Sequence, residues 1–373
     1  MREDIHNLAC KARHMHSIRL ILLLCLSALS GMPMAQGFSV SGIVTDAQGG
    51  QALTGASVFC QNTTLGTVTN ADGRFRLQLP DGGYDLVISF NGYETQSLRI
   101  NASTEGLQSM NVKLRMKDRS LEAVSVVATT ELRDGWKRYG DLFSGLFLGM
   151  TVNSDSCRID NRDSLRFFYS KKRDRLKVIA REPLRIVNNA LGYVIRYELD
   201  SFVHEFASGH TEYTGYALFE EMEGDEAQRT KWAAERERAY FGSMLHFVRC
   251  YYDSTLRLNG YRLERIDRGT DESAMIYNPY DSVRYGITDD GDVMLLNDGK
   301  LRVAYTLERP EPKYLQMRKL PANTPVQISI LDFPEYILIE QNGYYYDQKE
   351  ILVNGYWGWE KLADLLPYDY DPE

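Results

Sequence analysis

Apolar and polar positions change their spacing several times along the chain. Leu20–Leu29 is a continuous apolar run. From Phe38 to about Arg115 the spacing is two. Ser39–Asp46, Gly55–Cys60, Gly66–Asn70, Arg74–Pro80, Tyr84–Phe90, Gln96–Ile100 and Met110–Leu114 each read as a short strand, because successive side chains of a strand point to opposite faces. Phe75, Leu77 and Leu79 share one face, and Tyr84, Leu86 and Ile88 share another. Gly49-Gly50, Asp72-Gly73, Asp81-Gly82-Gly83 and Asn91-Gly92 punctuate the runs. Asp72-Gly73 predicts a hairpin, since both turn positions favour positive φ. Short strands with regular turns predict a β-sandwich.

Beyond residue 134 the spacing is mixed. Leu142–Leu148 is a short apolar piece. Leu165–Tyr169 and Leu176–Ala180 predict a hairpin over Lys171–Asp174, continued by Leu184–Asn188 and Gly192–Leu199. Tyr193, Ile195, Tyr197 and Leu199 fall on one face. Phe202–Phe206 and Glu212–Phe219 add strands. Residues 225–256 read as one long helix. Asp225 and Gln228 have capping-box spacing, and Phe241, Leu245, Val248 and Tyr252 form its apolar stripe. Gly242-Ser243 is a place for a kink. Short strands follow, with Asn259-Gly260, Asp290-Gly291, Asp298-Gly299, Asn342-Gly343 and Asn354-Gly355 as turns, and a short helix Trp359–Leu366 before Pro367. The expected fold is mainly β: a seven-stranded sandwich, then an α+β domain of antiparallel hairpins with one long helix.

The run Leu20–Leu29 is too short to span a bilayer, which takes about 20 residues. His14, His16 and Arg19 precede it and Ala35-Gln36-Gly37 follows it, the layout of a secretory signal. The expected organisation is a signal peptide over 1–37, the sandwich over 38–117, a linker and edge strand over 118–140, and the α+β domain over 141–373. No transmembrane span is expected in the mature chain. Cys60, Cys157 and Cys250 remain after the signal. Cys60 reads as a buried strand residue, and pairing of Cys157 with Cys250 is left open.

Composition narrows the function. The formal net charge is -8, from 43 basic and 51 acidic residues. That balance argues against nucleic-acid binding, which needs a basic face. Tyrosine is abundant, 24 against 14 Phe and 4 Trp, which suits strands and half-wet surfaces.

Ser41–Asp46, Leu53–Val58, Gly66–Phe75, Leu79–Leu86 and Ser89–Glu94, in that order, resemble the carboxypeptidase regulatory-like domain. The resemblance implies a transthyretin-like seven-stranded sandwich, an accessory role, and no catalytic residue. In Bacteroidetes such a domain commonly precedes TonB-dependent receptors. Ser120–Val127 resembles the segment that follows it there, although an edge strand with linker is the simpler reading. The stretch after Val127 is too short for a plugged barrel of 22 strands at about 10 residues each, so a receptor is not expected. Phe147-Leu148-Gly149, Leu191-Gly192-Tyr193, Tyr240–Phe247 and Gly355–Trp359 resemble the C-terminal part of a group of exported Bacteroidetes proteins of unknown function.

Catalytic patterns fail one by one. His204, His210 and His246 do not make His-x-x-Glu or His-Glu-x-x-His, so no metal site is expected. His204 and His210 read as ordinary strand residues. His246 reads as a packing or surface contact, with Asp253 on the same helix stripe. There is no Gly-x-Ser-x-Gly elbow, phosphate loop or dinucleotide fingerprint. No catalytic residue and no cofactor are expected. Tyr344, Tyr345, Tyr346, Tyr356, Trp357 and Trp359 are the candidate contact surface. They flank two turn signals, and they serve either as core or as rings presented to a protein or glycan. The expectation is a non-enzymatic exported envelope protein, periplasmic or outer-membrane-associated, that binds an envelope protein or glycan. The alternative is a hydrolase of unrecognised type in residues 140–373 acting on envelope polymers.

Overall fold

The computed structural model describes residues 37–117, 130–289 and 291–372. The expected signal peptide, the strand-and-linker reading of Leu121–Val127 and the turn residue Asp290 lie outside the described residues.

β1 (Gly37–Asp46), β2 (Ser57–Cys60), β3 (Gly66–Val68), β4 (Arg74–Pro80), β5 (Tyr84–Ser89), β6 (Gln96–Ile100) and β7 (Met110–Leu114) form the sandwich. One sheet runs β4-β1-β7 and the other β3-β2-β5-β6. The period of two is read directly in β4, where Phe75, Leu77 and Leu79 are buried between exposed Arg74, Arg76 and Gln78. They share a core with Val58, Leu86 and Ile88. One expectation is corrected. Asp72-Gly73 does not close a hairpin, because β3 pairs with β2 while β4 pairs with β1. The turn itself is tight, with Asn70 Oδ1 accepting from the backbone N–H groups of Asp72 and Arg74. Turn chemistry reports a local reversal, and a crossing between two sheets uses the same residues.

The second region opens with β8 (Thr130–Glu131) and helix α1 (Gly135–Phe147), then β9 (Cys157–Ile159), β10 (Leu165–Ser170), β11 (Arg175–Ala180), β12 (Leu184–Asn188), β13 (Tyr193–Glu205) and β14 (Thr211–Glu221). The apolar piece Leu142–Leu148 is therefore the end of a helix. Phe143 and Phe147 lie one turn apart on it and are fully buried. They meet Phe202 at 4.9 Å and Tyr197 at 5.0 Å, both edge-on. The strands make a sheet ordered β8-β10-β11-β13-β12-β9, with β14 along the other side of β13. On β13 the buried residues are Tyr193, Ile195, Tyr197 and Leu199, then Phe202 and His204. The step from 199 to 202 is odd, so an unbroken strand would turn Phe202 to the wrong face. A register shift between Leu199 and Ser201 inserts the extra residue and keeps both halves on the core.

The single long helix is also corrected. The chain forms α2 (Glu226–Tyr240) and α3 (Met244–Tyr252). The predicted capping box between Asp225 and Gln228 is present. The break falls at Gly242, whose φ of 85° is outside the helical region. A Cβ there would stand 2.7 Å from the Tyr305 ring. Ser243 then caps α3 by accepting from His246 N–H. Phe241, expected on the apolar stripe, is exposed as a result.

The remainder is β15 (Tyr261–Ile266), β16 (Ser273–Ile276), β17 (Tyr285–Ile287), β18 (Val293–Leu296), β19 (Lys300–Tyr305), α4 (Pro312–Arg318), β20 (Gln327–Asp332), β21 (Tyr336–Ile339), β22 (Leu352–Gly355) and α5 (Tyr356–Trp359). β16-β15-β19-β20-β22 and β17-β18-β21 are separate sheets. They share a core with Phe247, Val248 and Tyr251 of α3. Asp298-Gly299 thus links two sheets, and Gly355 leads β22 into α5 instead of a hairpin. The predicted helix Trp359–Leu366 is replaced by α5 and a 3-10 turn over Leu362–Asp364. Cys60, Cys157 and Cys250 are all free thiols.

The two regions are bonded to each other. Thr63 pairs with Leu218 as a parallel bridge on the edge of β14. Asn62 N–H donates to the Ala217 carbonyl at 2.7 Å, and Phe219 N–H donates to the Thr63 carbonyl at 2.9 Å. The C-terminal segment locks this seam. Tyr368 N–H donates to the Asn62 carbonyl at 2.7 Å, and Asp369 accepts from the N–H and hydroxyl of Thr64. A strand edge that would otherwise invite another chain is covered along this stretch.

Candidate functional site

The six aromatic residues of the expected contact surface do not make an open face. Tyr344, Tyr356, Trp357 and Trp359 are buried, and Tyr345 and Tyr346 are half-buried. Trp357 packs on Phe247 at 5.3 Å and donates its N–H to the Gly242 carbonyl at 2.6 Å. Trp359 and Tyr356 pack against Tyr314 of α4. Tyr345 faces the core of the last two sheets. Tyr344 and Tyr346 lie on the seam, 5.5 Å apart, with Tyr346 under the Arg99 guanidinium of the sandwich. Trp357 and Trp359 sit on a helix, so the strand geometry that would have placed both on one exposed face does not arise. Burial here follows from size, since large rings contribute most apolar area when removed from water.

A cleft of about 660 Å³ opens instead between the end of α1 and α4. Leu148, Ile159 and Trp359 supply its apolar floor, and exposed Met150 and Met317 flank it. Trp136, in the first turn of α1, stands half-buried in its wall. Phe167 meets its ring edge-on at 6.3 Å. Gly140 lies against the indole so closely that a Cβ would come within 2.9 Å. Arg162, in the turn before β10, places its guanidinium 5.6 Å from the same ring.

The charges around the cleft are unequal. Arg158, Arg162 and Lys313 line it together with one carboxylate, Asp155. Lys313 pairs with Asp155 at 2.5 Å and Arg158 with Asp160 at 2.8 Å. Arg162 has no carboxylate partner among the described residues. Its planar fork of donors therefore stays available to an anion.

Buried Asp364 and half-buried Glu311 hold the wall from behind. Val152 N–H donates to Glu311 at 3.2 Å, Asn153 Nδ2 donates to Asp364 at 3.0 Å, and Ala363 N–H donates to the Leu148 carbonyl at 3.0 Å. Burial pushes the carboxyls of Asp364 and Glu360 well above the ordinary range, and neighbouring acids add to the effect. Glu308 and Glu311 are raised by burial as well. None of these four is among the residues lining the cleft. Cys157, which does line it, has its thiol pushed up to about 12 by burial, so it carries no thiolate at neutral pH.

His246 is not paired with Asp253. Its Nδ1 accepts from Gly242 N–H at 3.1 Å and faces the Tyr261 hydroxyl at 2.9 Å. Burial lowers its pKa to about 4. It is a neutral packing residue among Tyr240, Phe241, Tyr261 and Tyr305. His204 lies on the core face of β13 beside Thr211, and His210 falls in the following turn. Among the described residues no three His, Cys, Asp or Glu side chains are placed to hold a metal ion, and no helix is long and apolar enough to cross a membrane.

Trp136 and Arg162 escaped the sequence reading. Trp136 marked only a boundary, and Arg162 sits among Asp160, Asn161 and Asp163, the composition of a solvated turn. Their pairing joins α1 to the turn before β10, which no spacing along the chain reports.

The family model of the CarboxypepD_reg-like domain matches residues 40–127. The sandwich is therefore a carboxypeptidase regulatory-like domain. The TonB-dependent receptor P3 of Formosa agariphila is 27% identical over 110 residues, 30% of this chain and 11% of the receptor. The TonB-dependent receptor SusC of Bacteroides thetaiotaomicron is 35% identical over 114 residues, 31% of this chain and 11% of the receptor. The chain thus matches about a tenth of the length of each receptor. A streptococcal ancillary pilin is similar over 22% of this chain and 30% of its own, at 20% identity and a TM-score of 0.20.

Proposed function

We propose that this chain is an exported, non-enzymatic envelope protein in which the sandwich and the second domain work as one binding module. The observation that carries the reading is the makeup of the cleft beside α1. It offers a half-buried indole, two exposed methionines and an excess of basic groups, and its one carboxylate is already paired. General acid–base chemistry takes a proton donor and acceptor within reach of a substrate, and this lining offers binding groups instead. The accessory character of the sandwich's family and its kinship to receptor segments support a place in the envelope. The seam through Thr63 and Asp369 supports a single body in which the accessory domain orients the cleft.

The test is fractionation of native cells with intact-mass measurement, followed by incubation of the purified protein with envelope polymers. A chain beginning near Phe38, recovered outside the cytoplasm and leaving the polymers unchanged, is expected. Retention of residues 1–37 overturns export. Polymer cleavage overturns the non-enzymatic reading.

A further inference from the structure

We infer that the cleft between α1 and α4 is a binding site for an anionic saccharide, a sugar unit bearing a carboxylate or sulfate. The inference rests on the binding-module reading and names its ligand class. Three observations converge on this class. The first is the Trp136 indole, half-buried and braced by Gly140 and Phe167. A braced flat ring offers a platform to the C–H face of a sugar at little entropic cost, because it is already ordered.

The second is Arg162. Its guanidinium lies 5.6 Å from the indole centroid and has no acidic partner among the described residues. A planar fork held over an aromatic ring recognises a carboxylate or sulfate on a sugar that meets the same face. Arg158 and Lys313 add positive charge around the same space, which favours entry of an anion.

The third is the rest of the lining. Ser144, Ser154 and Gln316 supply hydroxyl and amide groups that donate to and accept from sugar hydroxyls. A flat aromatic acid would leave these groups without partners. The volume of about 660 Å³ lies within the range of roughly 300–1,000 Å³ that holds small ligands.

The experiment is calorimetric titration of the full-length mature protein with a glucuronate-containing disaccharide, its neutral glucose counterpart and inorganic sulfate, with chromatography of each mixture afterwards. The uronate disaccharide is expected to bind saturably, at least tenfold more tightly than the neutral sugar and than sulfate alone. Its affinity should fall as salt rises. Arg162→Gln, at an exposed side chain, should lower that affinity at least tenfold, with folding checked by its melting curve. Trp136→Ala should lower affinity for both sugars alike, with folding checked by its melting curve. A sulfated disaccharide binding in the same manner shows that charge, not the carboxylate itself, is read. No saturable binding, equal binding of the neutral sugar, or binding indifferent to Arg162→Gln overturns the inference. Chromatography separates this failure from failure of the reading beneath it: bound sugar that is cleaved retains the site but refutes the non-enzymatic function.

Discussion

The guanidinium of Arg99 lies 3.0 Å from the ring centroid of Tyr346, across the seam between the sandwich and the second domain. It is also 5.6 Å from Tyr344. Beside it, Asn342 Nδ2 donates to the Gly83 carbonyl at 3.0 Å. The tyrosines that looked like a surface for an outside partner thus meet a partner within the chain.

Arg99→Ala should weaken the seam by about 0.5–2 kcal/mol, the range of a cation over an aromatic face from exposed to desolvated settings. Urea unfolding of Arg99→Ala, Tyr346→Leu and the double variant checks this. A coupling energy indistinguishable from zero would mean that the stacking contributes nothing.

Trp359→Ala should cost about 3–5 kcal/mol, since the ring is buried against Tyr314 and Tyr356. Trp359→Phe should cost less than half as much. It keeps most of the ring and removes an indole N–H that has no hydrogen-bond partner among the described residues. Thermal denaturation of the two variants gives the comparison. Equal losses would show that the N–H is satisfied.

His246 makes stability fall on the acid side. Burial lowers its pKa from 6.5 to about 4, so between those values the unfolded chain binds a proton that the folded chain does not. Stability from this group is complete above pH 6.5 and is lost as pH falls towards 4, by up to about 3 kcal/mol. Urea unfolding at pH 4.5 and 7 should give a smaller difference for His246→Gln than for the parent protein. An unchanged difference would show that the histidine does not titrate in this window.

Asp364 and Glu360 act in the opposite direction. Their carboxyls are raised, chiefly by burial, so the folded state holds protons that the unfolded chain has released. Stability from these groups is complete below the ordinary carboxylate range and is lost as pH rises through their raised values. Asp364→Asn should therefore gain on the parent protein between pH 5 and pH 8. The carboxamide oxygen can still accept from Asn153. Melting temperatures across that range test it, and a parallel pH dependence in parent and variant would refute it.

Local order was legible in the sequence. The seven runs from Ser39 to Leu114 became the seven strands of the sandwich, because a period of two and glycine turns are imposed by neighbouring residues. The capping box at Asp225 and Gln228, the hairpin of Leu165–Tyr169 with Leu176–Ala180, and the buried face Tyr193–Leu199 follow from the same short-range rules. Family likeness to the carboxypeptidase regulatory-like domain was legible for the same reason, since its motifs are turn and core positions. Tertiary structure decided the rest. Asp72-Gly73 reverses the chain whether or not its two strands share a sheet, and only the pairing of β3 with β2 and β4 with β1 settles which. Gly242 breaks a helix whose apolar stripe continues past it, because its φ of 85° lies outside the helical region, and the Tyr305 ring beside it leaves no room for a Cβ. The aromatic residues from Tyr344 to Trp359 have one composition and two fates, and their neighbours Arg99, Phe247 and Tyr314, far away along the chain, chose burial. Trp136 and Arg162 meet only because α1 and the turn before β10 pack on the same sheet; a cleft is a relation between elements, and the spacing of residues along one element cannot contain it.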